Sequence, residues 1–308
     1  MNSFALWLDS KIEIEKRTKA EVHFNLWNMH YKAALPPFLD VGIKLNNISD
    51  CSSINFFVPF FLAKEEVSDL GIVLKEGNIL CTIFNEDYIV SQNGSSKLLT
   101  VQNSNSEPVM GIYCLDIKND IKLENKFGGT LISIPKPTSI ESQLPIYFRF
   151  RIQSKMLKKI IKCYNPQNIF LQSAFSTIEA IDFRFNDYRS VDPSLLEQIR
   201  LQKSYNIEKV HFLLVTEADV DLQYSSGSET ARELEKDVWK QYFSHIKSKN
   251  VVAYHWKFKS DSSEKLIGNC IMFVKTKVHK CNWITILLYL LVLGVTTLFF
   301  EFISRLIF

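Results

Sequence analysis

At 308 residues, with 46% hydrophobic and 22% charged side chains, the chain is long and apolar enough for a large packed core, which excludes an intrinsically disordered protein. A formal charge of +3, spread without a dominant basic run, excludes a surface built to coat nucleic acid but leaves phosphate binding in a local cleft open. The six cysteines, Cys51, Cys81, Cys114, Cys163, Cys270 and Cys281, show neither C-x-x-C spacing nor the cysteine–histidine period of a zinc site, so they read as reduced thiols, and neither a metal nor a cofactor is expected.

The opening MNSFALWLDSKIEIEKRTK has neither a basic n-region nor a small-residue cleavage site, so it does not read as a secretory signal and the body is expected in the cytoplasm. The overlapping stretch KIEIEKRTKAEVHFNLWNMHYKAAL fits a helix as well as a strand, and the first 50 residues receive no assignment. From about residue 54 to 155 the chain reads as β. The runs INFFVPFFLA, GIVLKEGNILCTIF, DYIVSQNGSSKLLTV, GIYCLDIKNDIKL and GTLISIP are rich in Ile, Val, Phe and Tyr and are divided by Gly-Asn, Asn-Gly and Gly-Gly pairs, with a hairpin expected at Asn93-Gly94. PIYFRFRIQ sets Tyr147, Arg149 and Arg151 against Ile146, Phe148, Phe150 and Ile152, the period of a strand with one apolar face. Residues 136 to 145, among Pro135, Pro137 and Pro145, form the best linker.

The second half is mixed. AIDFRFND repeats the alternation, with Ile181, Phe183 and Phe185 on one side. DPSLLEQIRLQ predicts a helix capped by Asp192 with Pro193 at its first position, and KVHFLLVT a buried strand. SETARELEKDVWKQYFSHI predicts a longer amphipathic helix capped by Ser228, with Leu234, Val238, Tyr242 and Ile246 as its stripe. VVAYHWKFK and KLIGNCIMFVK follow as strands. The expected fold is α+β: a β-rich region over 1–135, a mixed α/β region over 146–277, and a single C-terminal transmembrane helix over 282–308.

That helix rests on WITILLYLLVLGVTTLFF, Trp283 to Phe300, which carries no charge. Crossing about 30 Å of hydrocarbon takes roughly 20 helical residues, and the apolar character runs on past Glu301 and Arg305, whose spacing lets them pair near the far interface. Lys275, Lys277, His279 and Lys280 crowd the entry point, which by the positive-inside rule faces the cytoplasm. The sequence therefore predicts a tail-anchored, single-pass protein, the alternative being a buried core helix. At 100° per residue Asn282, Thr285, Tyr289 and Thr296 share one face, a stripe fit for self-association or pore lining if the hydroxyls do not satisfy themselves on backbone carbonyls.

Chemistry is harder to find. No phosphate-binding G-x-x-x-x-G-K-[ST], G-x-G-x-x-G, G-x-S-x-G or H-E-x-x-H occurs, which argues against an enzyme. Glu217, Asp219 and Asp221 after KVHFLLV point the same way on an extended backbone and are candidates for holding Mg²⁺ with a phosphate, or else a solvated loop. His255 is a candidate base without a partner visible in sequence, and Ser225 to Ser228 are candidates for a nucleophile or a phosphate-cradling turn, or else a flexible loop ending at a helix cap. Arg149, Arg151, Arg184 and Arg189 line one polar surface if their strands are neighbours.

In its layout, a span at Trp283 to Phe308 behind a soluble body, the chain resembles the transmembrane effectors encoded in bacterial anti-phage operons, including those associated with retrons and nucleotide-signalling systems. The resemblance implies an inner-membrane protein whose cytoplasmic domain senses a protein, nucleic-acid or nucleotide trigger and whose clustered helices compromise the bilayer in abortive infection. A tail-anchored adaptor, or a membrane-tethered metal-dependent enzyme using Glu217, Asp219 and Asp221, are the other expectations.

Overall fold

Alternation of apolar and polar side chains drives most of this chain into strands, which a computed structural model arranges in two packed sheets. It describes every residue except 1–2, 11–18, 31–35, 49–50, 85, 93–96, 138–143, 165–175, 202–205, 244–249, 261–266, 280–282 and 308. The first sheet holds β1 (Ser3–Ser10), β4 (Cys51–Val58), β9 (Lys122–Lys126), β10 (Gly129–Pro135), β12 (Ile161–Tyr164), β13 (Ser176–Phe185), β15 (Asp221–Ser225) and β18 (Cys270–His279), in the order β15-β18-β13-β1-β4-β10-β9 with β12 also beside β13. The second holds β2 (Lys19–Trp27), β3 (Phe38–Leu45), β5 (Val67–Asp69), β6 (Ile89–Gln92), β7 (Leu98–Gln102), β8 (Pro108–Tyr113), β11 (Ile146–Gln153), β14 (Asn206–Glu217), β16 (Thr230–Glu233) and β17 (Val251–Lys259), in the order β16-β17-β14-β2-β3-β11-β8-β7-β6 with β5 beside β11. Four α-helices are described: α1 (Gly77–Phe84), α2 (Pro193–Leu201), α3 (Lys236–Tyr242) and α4 (Trp283–Ile307). The protein is α+β, with a β-rich N-terminal part and one apolar C-terminal helix.

The two halves of the chain use the same four-strand unit. In the first, β1 pairs with β4 and β2 with β3; in the second, β13 pairs with β18 and β14 with β17, all antiparallel. Two parallel pairs, β1 with β13 and β2 with β14, join the units side by side in both sheets. Regions 1–135 and 146–277, consecutive in sequence, are thus interleaved around one core. Aromatic rings fill it: Phe183 of the first sheet lies 4.8 Å from both Phe24 and Phe212 of the second, and Phe56 lies 5.8 Å from Phe150. Each such side chain removed from water contributes about 1.5 to 3 kcal/mol, so the strand order is held mainly by this apolar layer.

A second apolar cluster covers part of the outer face of the second sheet, where Trp27, Tyr147 and Val215 meet Ile79 and Leu80 of α1 and Trp239 and Tyr242 of α3. Two sequence expectations fail here. GIVLKEGNILCTIF is not β but a 3-10 turn over Ile72–Lys75 followed by α1, because Leu74, Ile79 and Leu80 reach this layer only from a helical backbone. The long helix from Ser228 is also shorter: Thr230–Glu233 hydrogen-bonds to the edge of β17, and α3 starts only after Glu235. Sheet pairing outweighs helix propensity there; Leu234 and Tyr242 are buried as expected, while Ile246 lies outside the described residues. Segments that resisted assignment at the N-terminus are strands β1, β2 and β3.

Other expectations hold. β6 and β7 form the hairpin around Asn93-Gly94, a pair itself outside the described residues. Asp192 caps α2, its carboxylate accepting from Ser194 N at 2.9 Å. Residues 136 to 145, expected as a linker between regions, connect β10 of the first sheet to β11 of the second across one shared core, with 138–143 outside the described residues. Helix α4 contains a stretch, Ile286–Ile307, with a mean hydropathy of 2.3 and none of it buried.

Candidate functional site: a histidine-lined cleft

Outer-facing side chains of β2, β14 and β17 form the floor of a cleft of about 550 Å³, roofed by Thr82, Ile83 and Phe84 of α1 and by Trp239 of α3. The floor follows from register. β2 reads Glu21-Val22-His23-Phe24 and β14 reads Lys209-Val210-His211-Phe212, and the parallel pairing sets Glu21 beside Lys209 and His23 beside His211. Side chains at paired positions share a face, so each Val-His-Phe puts its Val and Phe into the core and its His into the cleft. A bulge between Ile207 and Lys209 inverts the alternation of β14, so that Ile207, two residues before the outward Lys209, faces the core beside Ala20. β17 adds His255 and Lys257, and Arg232 of β16 closes one side while donating to the Thr82 carbonyl at 3.3 Å.

The polar groups form a connected set. Glu21 Oε1 lies 3.1 Å from His23 Nε2 and 3.3 Å from His211 Nε2, and Glu21 Oε2 accepts from Lys209 Nζ at 3.3 Å. His211 Nδ1 meets His255 Nε2 at 2.9 Å, with the two rings stacked. Among the described residues His211 Nε2 is a buried nitrogen without a hydrogen bond, its approach to Glu21 being off-line. Burial raises the Glu21 pKa, but the His211 and His23 rings and the Lys209 ammonium outweigh it and hold the carboxyl well below the usual range. Burial depresses His23 to about 4 against the pull of Glu21, so this ring is neutral at pH 7. Burial, His211, Lys257 and Arg232 likewise lower His255 to about 4.

Behind the floor, Tyr147 Oη lies 3.2 Å from His23 Nδ1 and accepts from Arg149 Nη1 at 2.7 Å. Gly42 makes this reach possible, because it stands on β3 between His23 and Arg149 and a Cβ there would collide with the Tyr147 hydroxyl. Gly42→Ala is therefore expected to displace Tyr147 and lower stability by about 1 to 3 kcal/mol, the usual penalty of overpacking, measured as a shift in the urea unfolding midpoint. Arg149 also donates to Tyr242 Oη at 2.7 Å, while Asp40 accepts from Arg151, Tyr242 and Trp27 at 2.7, 2.8 and 3.0 Å.

A separate knot ties the sheets together at the far end of β14. His30 Nδ1 contacts Glu217 at 3.0 Å and His30 Nε2 contacts Glu179 of β13 at 2.9 Å, with Asn28 also donating to Glu179 at 2.7 Å. Burial opposes the His30 charge, yet hydrogen bonds to Glu179 and Glu217 and their charges raise its pKa to about 9.

The residues singled out in sequence are scattered. Glu217, Asp219 and Asp221 do not converge: Glu217 is buried on His30, Asp219 lies in the turn, and Asp221 opens β15 beside His279 at 3.1 Å. Ser225 bonds Glu229 at 2.6 Å and Ser226 accepts from Phe273 N at 2.8 Å, which makes this segment a structured turn. The four arginines do not share a surface. Arg149 and Arg151 belong to the second sheet, whereas Arg184 of the first pairs with Asp182 at 2.9 Å and Arg189 with Asp187 at 3.0 Å. His255 does have a partner, His211, supplied by a neighbouring strand. Lys275 and Lys277 lie on β18, and Asn282 and Lys280 are outside the described residues. Thr285, Tyr289 and Thr296 lie on α4; the Thr296 hydroxyl donates to the carbonyls of Val292 and Leu293 at 2.9 and 2.8 Å. Glu301 and Arg305 form the expected ion pair, at 2.6 Å.

The set that the sequence reading missed is Glu21, His23 and His211. Its one visible signal was Val-His-Phe occurring twice, at 22–24 and 210–212, each time with the charged residue before it. No protein-family model matches the chain, and no curated protein matches it significantly.

Proposed function

We propose that the protein is a membrane-anchored binding protein: α4 holds it to a bilayer and the histidine-lined cleft takes a small anionic ligand. The observation that carries the first half is the exposure of α4, 25 residues of apolar helix with no part of its span covered by the body. In water that surface is a large penalty, at roughly 25 cal/mol per Å² of apolar area, and lipid removes it. For the second half, among the described residues Lys44, Lys209, Arg232 and Lys257 line the cleft against the carboxylates of Glu21 and Glu86, and Trp239 adds a buried indole N–H with no partner among them. Cations and an unpaired donor favour a ligand rich in acceptor oxygens.

A second reading makes the anchored protein an effector that damages the inner membrane when its cleft is filled, in the manner of the anti-phage effectors it resembles. The uncovered faces of α4 favour it, since they leave the helix free to meet a second copy; the Thr296 hydroxyl would then have to exchange its intrahelical bonds for new ones. One experiment addresses both readings. The full chain and a chain ending before Asn282 are expressed in parallel, fractionated through alkaline carbonate, and followed with a membrane-potential dye. The anchor reading expects the full chain in the carbonate-resistant membrane and the shortened one in the soluble fraction; recovery of the intact chain as soluble protein overturns it. Depolarisation by the full chain alone supports the effector reading, and unchanged potential on overexpression removes it.

A further inference from the structure

We propose that Glu21, His23 and His211 form a binding site for a divalent transition-metal ion of the Zn²⁺ class, with the fourth coordination position open to the cleft. The inference rests on the reading of this cleft as the functional site and is independent of the membrane anchor.

The geometry is that of three ligands around one centre. Zinc held at 2.0 to 2.1 Å by a tetrahedral set places neighbouring ligand atoms roughly 3.3 Å apart. Glu21 Oε1 lies 3.1 Å from His23 Nε2 and 3.3 Å from His211 Nε2, and ligand atoms of all three residues fall within 4.8 Å of one another. Two edges of the tetrahedron are already built. The remaining Glu21 oxygen is engaged by Lys209, which leaves Oε1 as a single-oxygen ligand.

The surroundings suit a metal better than a bare hydrogen-bond network. A metal-ligating histidine ordinarily has its other ring nitrogen held by a partner, which fixes the ring orientation. Here both do: His23 Nδ1 meets Tyr147 Oη at 3.2 Å, and His211 Nδ1 meets His255 Nε2 at 2.9 Å. His211 Nε2, the atom turned toward Glu21, is the one left buried and without a hydrogen bond, and a metal is the partner that satisfies a nitrogen and a carboxylate oxygen together. The ligands also sit on two paired central strands rather than on loops, so they are pre-positioned. Lys257 and Arg232 line the same cleft, cations that would favour an anion coordinated to the ion.

The test uses the full chain in detergent micelles, stripped of metal with a chelator and titrated with Co²⁺, which absorbs strongly in the visible only in a tetrahedral field. The expected result is one Co²⁺ per chain, strong visible absorption, and its bleaching by one equivalent of Zn²⁺. Glu21→Gln and His211→Gln are each expected to weaken binding more than 100-fold, and His255→Gln, which removes only the orienting partner, by about 10- to 100-fold. His279→Gln, at an exposed histidine on β18, should leave the titration unchanged. Thermal unfolding of each variant shows whether it folds, and His255→Gln keeps the test decisive if a ligand variant does not. Absence of the visible band in the folded wild type, or a band that survives in folded His211→Gln, overturns the proposal. Calorimetry with inorganic phosphate on the metal-free chain separates the two ideas: phosphate binding that is abolished by Lys257→Met with Arg232→Met, without any Co²⁺ band, keeps the anion cleft and removes the metal.

Discussion

Replacing Asp40 by alanine is expected to cost the fold about 3 to 5 kcal/mol, the range for removing one partner of a buried ion pair. Asp40 is fully buried and accepts from Arg151, Tyr242 and Trp27, groups contributed by β11, α3 and β2. Arg149, also fully buried, pairs with no carboxylate among the described residues; it is joined to Asp40 by hydrogen bonds through Tyr242 and feels its charge. Without Asp40 the two guanidinium groups lose the carboxylate that Arg151 binds directly and Arg149 reaches through Tyr242, and an indole and a phenol lose their acceptor. The double change Asp40→Leu with Arg151→Met should recover part of the loss, since an apolar pair of similar volume often matches a buried ion pair. Urea unfolding followed by tryptophan fluorescence measures both; a loss below about 1 kcal/mol for Asp40→Ala would show that the layer does not depend on this charge.

Stability should also fall in alkali by roughly 2 to 3 kcal/mol, and His30 is the reason. Its pKa rises from 6.5 in the unfolded chain to about 9 in the fold, so the folded state holds a proton that the unfolded state gives up first. The contribution is complete below pH 6.5, shrinks between 6.5 and 9, and is gone above 9. The shift corresponds to on the order of 3 kcal/mol, reduced somewhat because a fifth of the His30 side chain is exposed. Unfolding free energies at pH 6, 8 and 10, compared with His30→Gln, give the slope. A variant with the same alkaline loss as wild type would place the effect elsewhere.

The contrast between β11 and α1 explains what was readable from sequence. Alternation marks β11 and β13 because one face of each lies in the inter-sheet core, where Phe150 and Phe183 sit. The same rule misjudged the other face of β11: Tyr147 and Arg149 look solvent-facing in sequence, but the second apolar layer buries both. α1 was misread because Ile79, Thr82 and Ile83 are β-branched and favour strands, and only the layer beneath selects a helix. The cleft was invisible for a different reason. Glu21 and His23 meet His211 through a parallel pair that joins opposite halves of the chain, and no local spacing encodes such a pair.

That seam also governs how the protein comes off the ribosome. Phe4 pairs with Phe185 and Phe24 with Phe212, so β1 and β2 emerge long before the strands that cover their edges exist. At 5 to 20 residues per second the wait is roughly 10 to 40 s, and throughout it the nascent first half presents open, aromatic-rich strand edges. Efficient production should therefore depend on a holding chaperone that shields this half until its counterpart is made.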